Sequence, residues 1–155
     1  MDLAAILRLL HNFNRWVVVI MLVLVIGRAI LALVKRLERN PLDRQMWLVL
    51  TIAADVQLLL GLILFVLGPW LGLLSRSASV VMKDPNLRFF SIEHTLIGII
   101  VVVLIHVASI RFRKADTSRQ AFQQSLIFIG IVALLVLYSG IIEPTVLGRA
   151  IFLVK

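Results

Sequence analysis

The sequence predicts an all-α integral membrane protein, a single up-down-up-down four-helix bundle, from its composition and from the spacing of its apolar runs. Of its 155 residues, 61% are hydrophobic, and the mean hydropathy is +1.06, whereas soluble domains are only about 45–50% apolar. A helix of roughly 20 apolar residues crosses a bilayer. The chain has four runs of that length. Short links between them favour antiparallel neighbours in one bundle.

The predicted spans follow from the apolar runs and the breakers between them. Residues 3–14 are amphipathic at helical spacing and run without a break into the first apolar stretch, so one long helix is expected over 3–36. Asn40–Pro41 is the breaker before the second span. The other spans are expected at 46–67, 89–110 and 121–142, and the whole chain, 1–155, is expected to be one transmembrane domain.

The basic residues predict the orientation. The segments 35–45 and 111–119 each hold four Lys or Arg, and cytoplasmic loops carry an excess of such residues. Both termini are therefore expected outside, on the periplasmic face of a bacterial cytoplasmic (inner) membrane. The net charge of +8 fits a membrane face, so the expected partner is the lipid bilayer and not nucleic acid. The absence of cysteine excludes disulfides, thiolate metal sites and thioether-linked haem.

Two histidines occupy corresponding places in the first and third spans. These spans run in the same direction, so His11 and His94 enter from the same face at a similar depth. Neutral imidazole is a common ligand of haem iron, and bundle cores build such sites from facing helices. The pattern predicts one non-covalent haem b with both histidines as axial iron ligands. The alternative is that both are interfacial histidines bonded to backbone or lipid headgroups.

Four further residues are predicted to support this cofactor. Gly98 lies one turn after His94, where a missing side chain leaves room for the porphyrin edge. Arg15, Lys83 and Arg88 lie at the outer rim, where cations pair with haem propionates.

The third histidine is not expected to hold a second haem. Twelve residues at about 100° each place His106 about 120° around the helix from His94. The chain has only three histidines, so a second bis-histidine pair cannot form. We expect His106 to be hydrogen-bonded near the inner interface.

Arg28 and Asp55 are predicted to pair, because their depths match and each charge is costly alone in a membrane. The two residues form a candidate proton or quinone-headgroup site. The alternative interpretation is an ion pair that fixes helix register without further function.

Three stretches of the sequence resemble small bacterial four-helix membrane proteins of the cytochrome b-like family. They are HNFNRW in the first span, DVQLLLGLILF in the second, and MKDPNLRFFSIEH before the third. The resemblance covers most of the chain, and its most specific parts are His11 with Arg15, Gln57 with Gly61, and the stretch 82–94. It implies a haem-bearing electron-transfer protein, in agreement with the histidine pairing.

The predicted function is electron transfer through one haem b near the periplasmic face, with membrane quinol or a partner redox protein as the exchange partner. No independent enzyme activity is assigned. The alternative is a cofactor-free accessory subunit that packs against a larger respiratory or photosynthetic complex, or against further copies of itself. A third hypothesis is a small proton-coupled transporter that uses Arg28, Asp55 and Gln57.

Overall fold

A computed structural model of the protein describes residues 2–146, and every regular element in that part of the chain is helical. The helices are α1 (Leu3–Lys35), α2 (Pro41–Leu67), α3 (Trp70–Arg76), α4 (Ala78–Lys83), α5 (Pro85–Arg88), α6 (His94–Lys114), α7 (Ser118–Leu137) and α8 (Glu143–Val146). Two π-helical turns interrupt the α-helices: Phe89–Glu93 joins α5 to α6, and Tyr138–Ile142 joins α7 to α8.

Four helical segments are long and apolar enough to cross a membrane: Leu3–Lys35, Pro41–Leu67, Pro85–Lys114 and Ser118–Ile142. The prediction of an all-helical fold with four long apolar helices is therefore confirmed. In the packing, α1 lies between α2 and α7, and α6 closes the bundle on the opposite side between the same two helices. Successive long helices run in opposite directions. We call the end that holds the start of α1 the terminal end, and the end that holds the α1–α2 and α6–α7 links the loop end.

The bundle core is a seam of small and branched apolar side chains. Helix α1 contributes residues spaced alternately four and three apart, which is the seam spacing of left-handed helix packing. They are Val18, Leu22, Val25, Ala29 and Ala32. The two alanines are at most 2% exposed, and such small residues let helix backbones approach closely inside a membrane.

The long helices begin earlier than the apolar runs alone indicate. Helix α2 starts at Pro41, because Asn40 and Asp43 form a reciprocal capping box and proline is favoured at the first helical position. Asp84 and Thr117 likewise accept hydrogen bonds from backbone N–H groups at the start of α5 and α7. Each polar cap extends its helix by three to five residues beyond the predicted spans.

The connection between α2 and the third span folds as the three short helices α3, α4 and α5 at the terminal end. Trp70 at the start of α3 packs against Phe90, with ring centroids 5.3 Å apart. This contact holds the connection over the first π-helical turn, directly beside the candidate site.

Candidate functional site

The bundle brings His11 of α1 and His94 of α6 together near the terminal end. Their ring centroids are 6.2 Å apart and the ring planes are inclined at 65°. Imidazole nitrogens bind first-row metals at about 2 Å, so two axial imidazoles on one metal ion have ring centroids about 6 Å apart. The separation of the two rings matches that value, and it also lies in the range of about 4.5–7 Å that is usual for packed rings.

His94 is held in one tautomer by the second π-helical turn. Its Nδ1–H donates to the backbone carbonyl of Ser139 at 3.2 Å, since a carbonyl oxygen can only accept. In the neutral ring the lone pair is therefore on Nε2. This is the arrangement in which a histidine serves as a metal ligand, with its second nitrogen fixed by an acceptor.

His11 is engaged differently, through a chain of amides. Asn14 Nδ2 donates to the carbonyl of Ala53 at 2.8 Å and to Gln57 Oε1 at 2.9 Å. Because Gln57 accepts through its oxygen, its Nε2 donates to His11 Nε2 at 3.1 Å. The proton of the neutral His11 ring is then on Nδ1, which is buried and has no hydrogen-bond partner among residues 2–146.

A second buried polar atom near the histidine pair also lacks a partner. Ser91, in the first π-helical turn, is 2% exposed, and its Oγ has no hydrogen bond within the described part of the chain. Buried polar groups are nearly always hydrogen-bonded, so such an orphan indicates a missing water, ion or ligand. Two orphans within the region of the histidine pair favour a site that takes a further group.

Gly61 leaves room for the His11 ring. A Cβ atom at this position would lie 3.2 Å from His11 Cε1, which is tighter than ordinary side-chain packing. Gly98 has no such constraint, because a Cβ there would meet Leu58 at 3.9 Å. Gly61 therefore borders the His11 ring, while the predicted role of Gly98 beside a porphyrin edge stays a prediction.

The three rim cations differ in their surroundings. Arg15 donates to the carbonyl of Gly140 at 3.1 Å and lies over the Trp16 ring at 5.4 Å. Arg88 pairs with Glu93 at 2.7 Å and donates to the Met82 carbonyl at 3.3 Å. Lys83 is exposed at the end of α4. None of these contacts tests the predicted pairing of the three cations with haem propionates, which stays a prediction.

The predicted pair of Arg28 with Asp55 is wrong. Arg28 forms a bidentate contact with Asp43, from Nε to Oδ1 at 2.7 Å and from Nη2 to Oδ2 at 3.1 Å. The same guanidinium lies 5.3 Å from the centroid of the Phe122 ring. The prediction compared only the depths of Arg28 and Asp55 along their helices. The long Arg28 side chain instead extends toward the loop end, where the capping box holds Asp43 in the bundle.

Asp55 instead faces His106 on the outer surface of the bundle. Asp55 Oδ2 lies 3.7 Å from His106 Nε2, and the side chains are 51% and 45% exposed. His106 Nδ1–H donates to the carbonyl of Val102 at 3.1 Å. His106 thus has the expected hydrogen bond. The predicted grouping of Asp55 with Gln57 does not form, because two residues turn a helix by about 200° and the two side chains point in opposite directions.

Sequence reasoning missed three participants: Asn14, Ser139 and Asp43. Two of them carry a readable signal, because Asn14 follows His11 by three residues on the same helix face and Asp43 stands three residues after a capping asparagine. The role of Ser139 depends on a π-helical turn, for which the sequence offers no pattern that we can identify.

No protein-family model matches this chain, and neither do any curated proteins or solved structures. Among the described residues, no group of three or more His, Asp or Glu side chains is placed to hold a metal ion by itself. The resemblance to cytochrome b-like proteins therefore stays a prediction, and the proposed function depends on the geometry of the histidine pair.

Proposed function

We propose that this protein is an electron-transfer protein of the bacterial cytoplasmic membrane that holds one haem b between His11 and His94 near the periplasmic face. The observation that carries the proposal is the 6.2 Å separation of the two rings across helices that enter the bundle from the same end. The fixed tautomer of His94 supports it, because it leaves the Nε2 lone pair as the ligand atom. When bound, the haem supplies one-electron chemistry.

The two histidines could hold the iron of this group after one adjustment. His94 already presents Nε2, because Ser139 fixes its other nitrogen. His11 Nε2 accepts from Gln57, so ligation requires Gln57 to release that nitrogen. That release would leave the Gln57 Nε2 donor without its acceptor, at a cost of about 1–3 kcal/mol.

Aromatic side chains shield the pair from water. The Phe89 ring is 1% exposed and its centroid lies 5.6 Å from that of His94, while Phe90 lies at 6.1 Å. Exclusion of water and a low local polarity are among the means by which a protein sets a haem potential. In this proposal Arg15, Lys83 and Arg88 contribute the positive charge at the rim, and membrane quinol or a second redox protein is the exchange partner.

The test is a dithionite-reduced minus oxidised visible spectrum of the detergent-purified protein, produced with ample haem. The sharp α-band of a low-spin haem b is expected in the wild type and in His106→Ala, the matched control histidine. It is expected to vanish in His11→Ala and His94→Ala. Far-UV circular dichroism and gel filtration of each variant establish that the bundle is still folded.

A featureless wild-type spectrum would overturn the proposal. The accessory-subunit hypothesis would then be favoured, and its own test is whether His11→Ala and His94→Ala still assemble with co-purifying subunits. A band that survives in both single variants would likewise rule out bis-histidine ligation by this pair.

A further inference from the structure

Asp55 and His106 form a polar pair on an apolar, outward-facing surface. Asp55 lies 14 residues after the start of α2, about 21 Å along the helix axis and therefore near its middle. Ile52 and Val56 on α2, and Val103 on α6, are exposed apolar residues within three positions of the pair along the chain. Ionisable groups at membrane depth are costly and normally face the bundle interior or an aqueous cavity. An outward-facing pair is therefore a candidate contact for a polar group that arrives from the lipid phase.

The hydrogen bonds that the pair already makes indicate whether a ligand should supply a donor or an acceptor. His106 Nδ1–H donates to the Val102 carbonyl, so the neutral ring presents only a lone pair at Nε2. An ionised Asp55 also only accepts. The two acceptor atoms are 3.7 Å apart, beyond the hydrogen-bond range of about 2.7–3.2 Å. The geometry calls for a donor placed between or in front of them.

We infer that this pair binds a hydroxyl group of a membrane-soluble hydroquinone that enters sideways from the lipid phase. A hydroquinone combines an O–H donor with an apolar ring and tail, which match the two acceptors and their apolar surroundings. A second copy of this chain is a poorer occupant, because a two-fold contact would bring another Asp–His pair with the same two acceptors. Lipid headgroups lie at the membrane surface, away from the middle of α2.

The bound hydroxyl is placed to transfer its proton. The O–H bond breaks, the proton moves to His106 Nε2, and the electron pair stays on oxygen, which leaves a hydroquinone monoanion. The imidazolium so formed lies beside the Asp55 carboxylate, which stabilises it. No electron moves in this step. Onward electron transfer rests on the proposed function, whereas binding and proton transfer do not require the haem.

The test is a binding titration of the protein in lipid nanodiscs, under anaerobic conditions, with decylubiquinol and its oxidised form decylubiquinone. The wild type is expected to bind the quinol about tenfold more tightly, since the quinone lacks the O–H donor and one hydrogen bond to a charged acceptor is worth about that ratio. Asp55→Asn and His106→Gln are expected to lose this preference. Each replaces a group that only accepts by an amide, which can also donate a hydrogen bond to a carbonyl oxygen of the quinone.

One control variant is expected to keep the full preference for the quinol. Thr51→Val, one turn before Asp55 on α2, removes only a hydroxyl that donates within the helix to the Trp47 carbonyl. The proposed haem site at His11 and His94 is separate from the Asp55–His106 pair. A failed haem spectrum with an intact quinol preference would therefore refute the haem alone.

Equal affinity of the wild type for both forms, or an unchanged preference in both Asp55→Asn and His106→Gln, would overturn the inference. So would a dimer of the wild type in nanodiscs that becomes monomeric in these variants, because the pair would then be a subunit contact. If one variant fails to fold, as judged by circular dichroism, the other decides.

Discussion

At the scale of single residues, the close approach of α2 to the His11 ring depends on Gly61. A Cβ atom there would lie 3.2 Å from His11 Cε1, whereas one at Gly27 would meet nothing within 4 Å. Both glycines lie inside long helices, so their intrinsic effects on helix stability are similar. The difference between them therefore isolates the contact with His11.

Gly61→Val is expected to destabilise the bundle by about 1–3 kcal/mol, the usual cost of overpacking, and to lower the haem content of the purified protein. Gly27→Val, the matched control, is expected to leave both unchanged. Unfolding by sodium dodecyl sulfate titration and the pyridine haemochrome content of each variant measure the two effects. Equal behaviour of the two variants would show that Gly61 does not border the site.

At the scale of helices, Asp43 links two elements. It closes the capping box that begins α2 and binds Arg28 of α1. Asp43 is 3% exposed, so loss of its charge leaves a guanidinium in the bundle without its counter-ion. Glu93 pairs with Arg88 at the same distance of 2.7 Å, but the side chains are 32% and 39% exposed.

Asp43→Asn is expected to cost about 3–5 kcal/mol of stability, because removing one partner of a buried ion pair leaves the other charge uncompensated. Glu93→Gln makes the same chemical change in a half-exposed pair and is expected to cost about 1 kcal/mol or less. The free energy of unfolding of both variants, measured by the same detergent titration, checks the difference. Similar losses in the two variants would contradict the role of burial.

The particular elements show what the sequence determines. Hydropathy predicted the four long apolar helices, because a helix that crosses a bilayer must be long and apolar whichever helices it packs against. The proximity of His11 and His94 followed from parallel direction and equal depth. Depth in the membrane could not identify the partner of Arg28. It does not say toward which side of its helix a carboxylate points, or how far along the bundle the long arginine side chain extends. The π-helical turn that presents Ser139 to His94 depends on tertiary packing and left no periodic signal.

At the scale of the whole molecule, the charge distribution predicts the orientation of the bundle in the membrane, and with it the face near which the His11–His94 pair lies. The links 35–45 and 111–119 lie at the loop end and hold eight of the 16 Lys and Arg residues. Cytoplasmic loops carry this excess, and short loops near the spans count most. The loop end is therefore expected in the cytoplasm, and the His11–His94 pair near the opposite face.

Because the chain has no cysteine, single cysteines can report this orientation without background. Ser79→Cys places an exposed thiol on α4 at the terminal end, and Asp116→Cys places one in the α6–α7 link at the loop end. In intact spheroplasts a membrane-impermeant maleimide is expected to label the cysteine at 79, and to label that at 116 only after permeabilisation. The reverse pattern would place the histidine pair near the cytoplasmic face, where its partner would have to be a cytoplasmic or membrane-bound redox protein and not a periplasmic one.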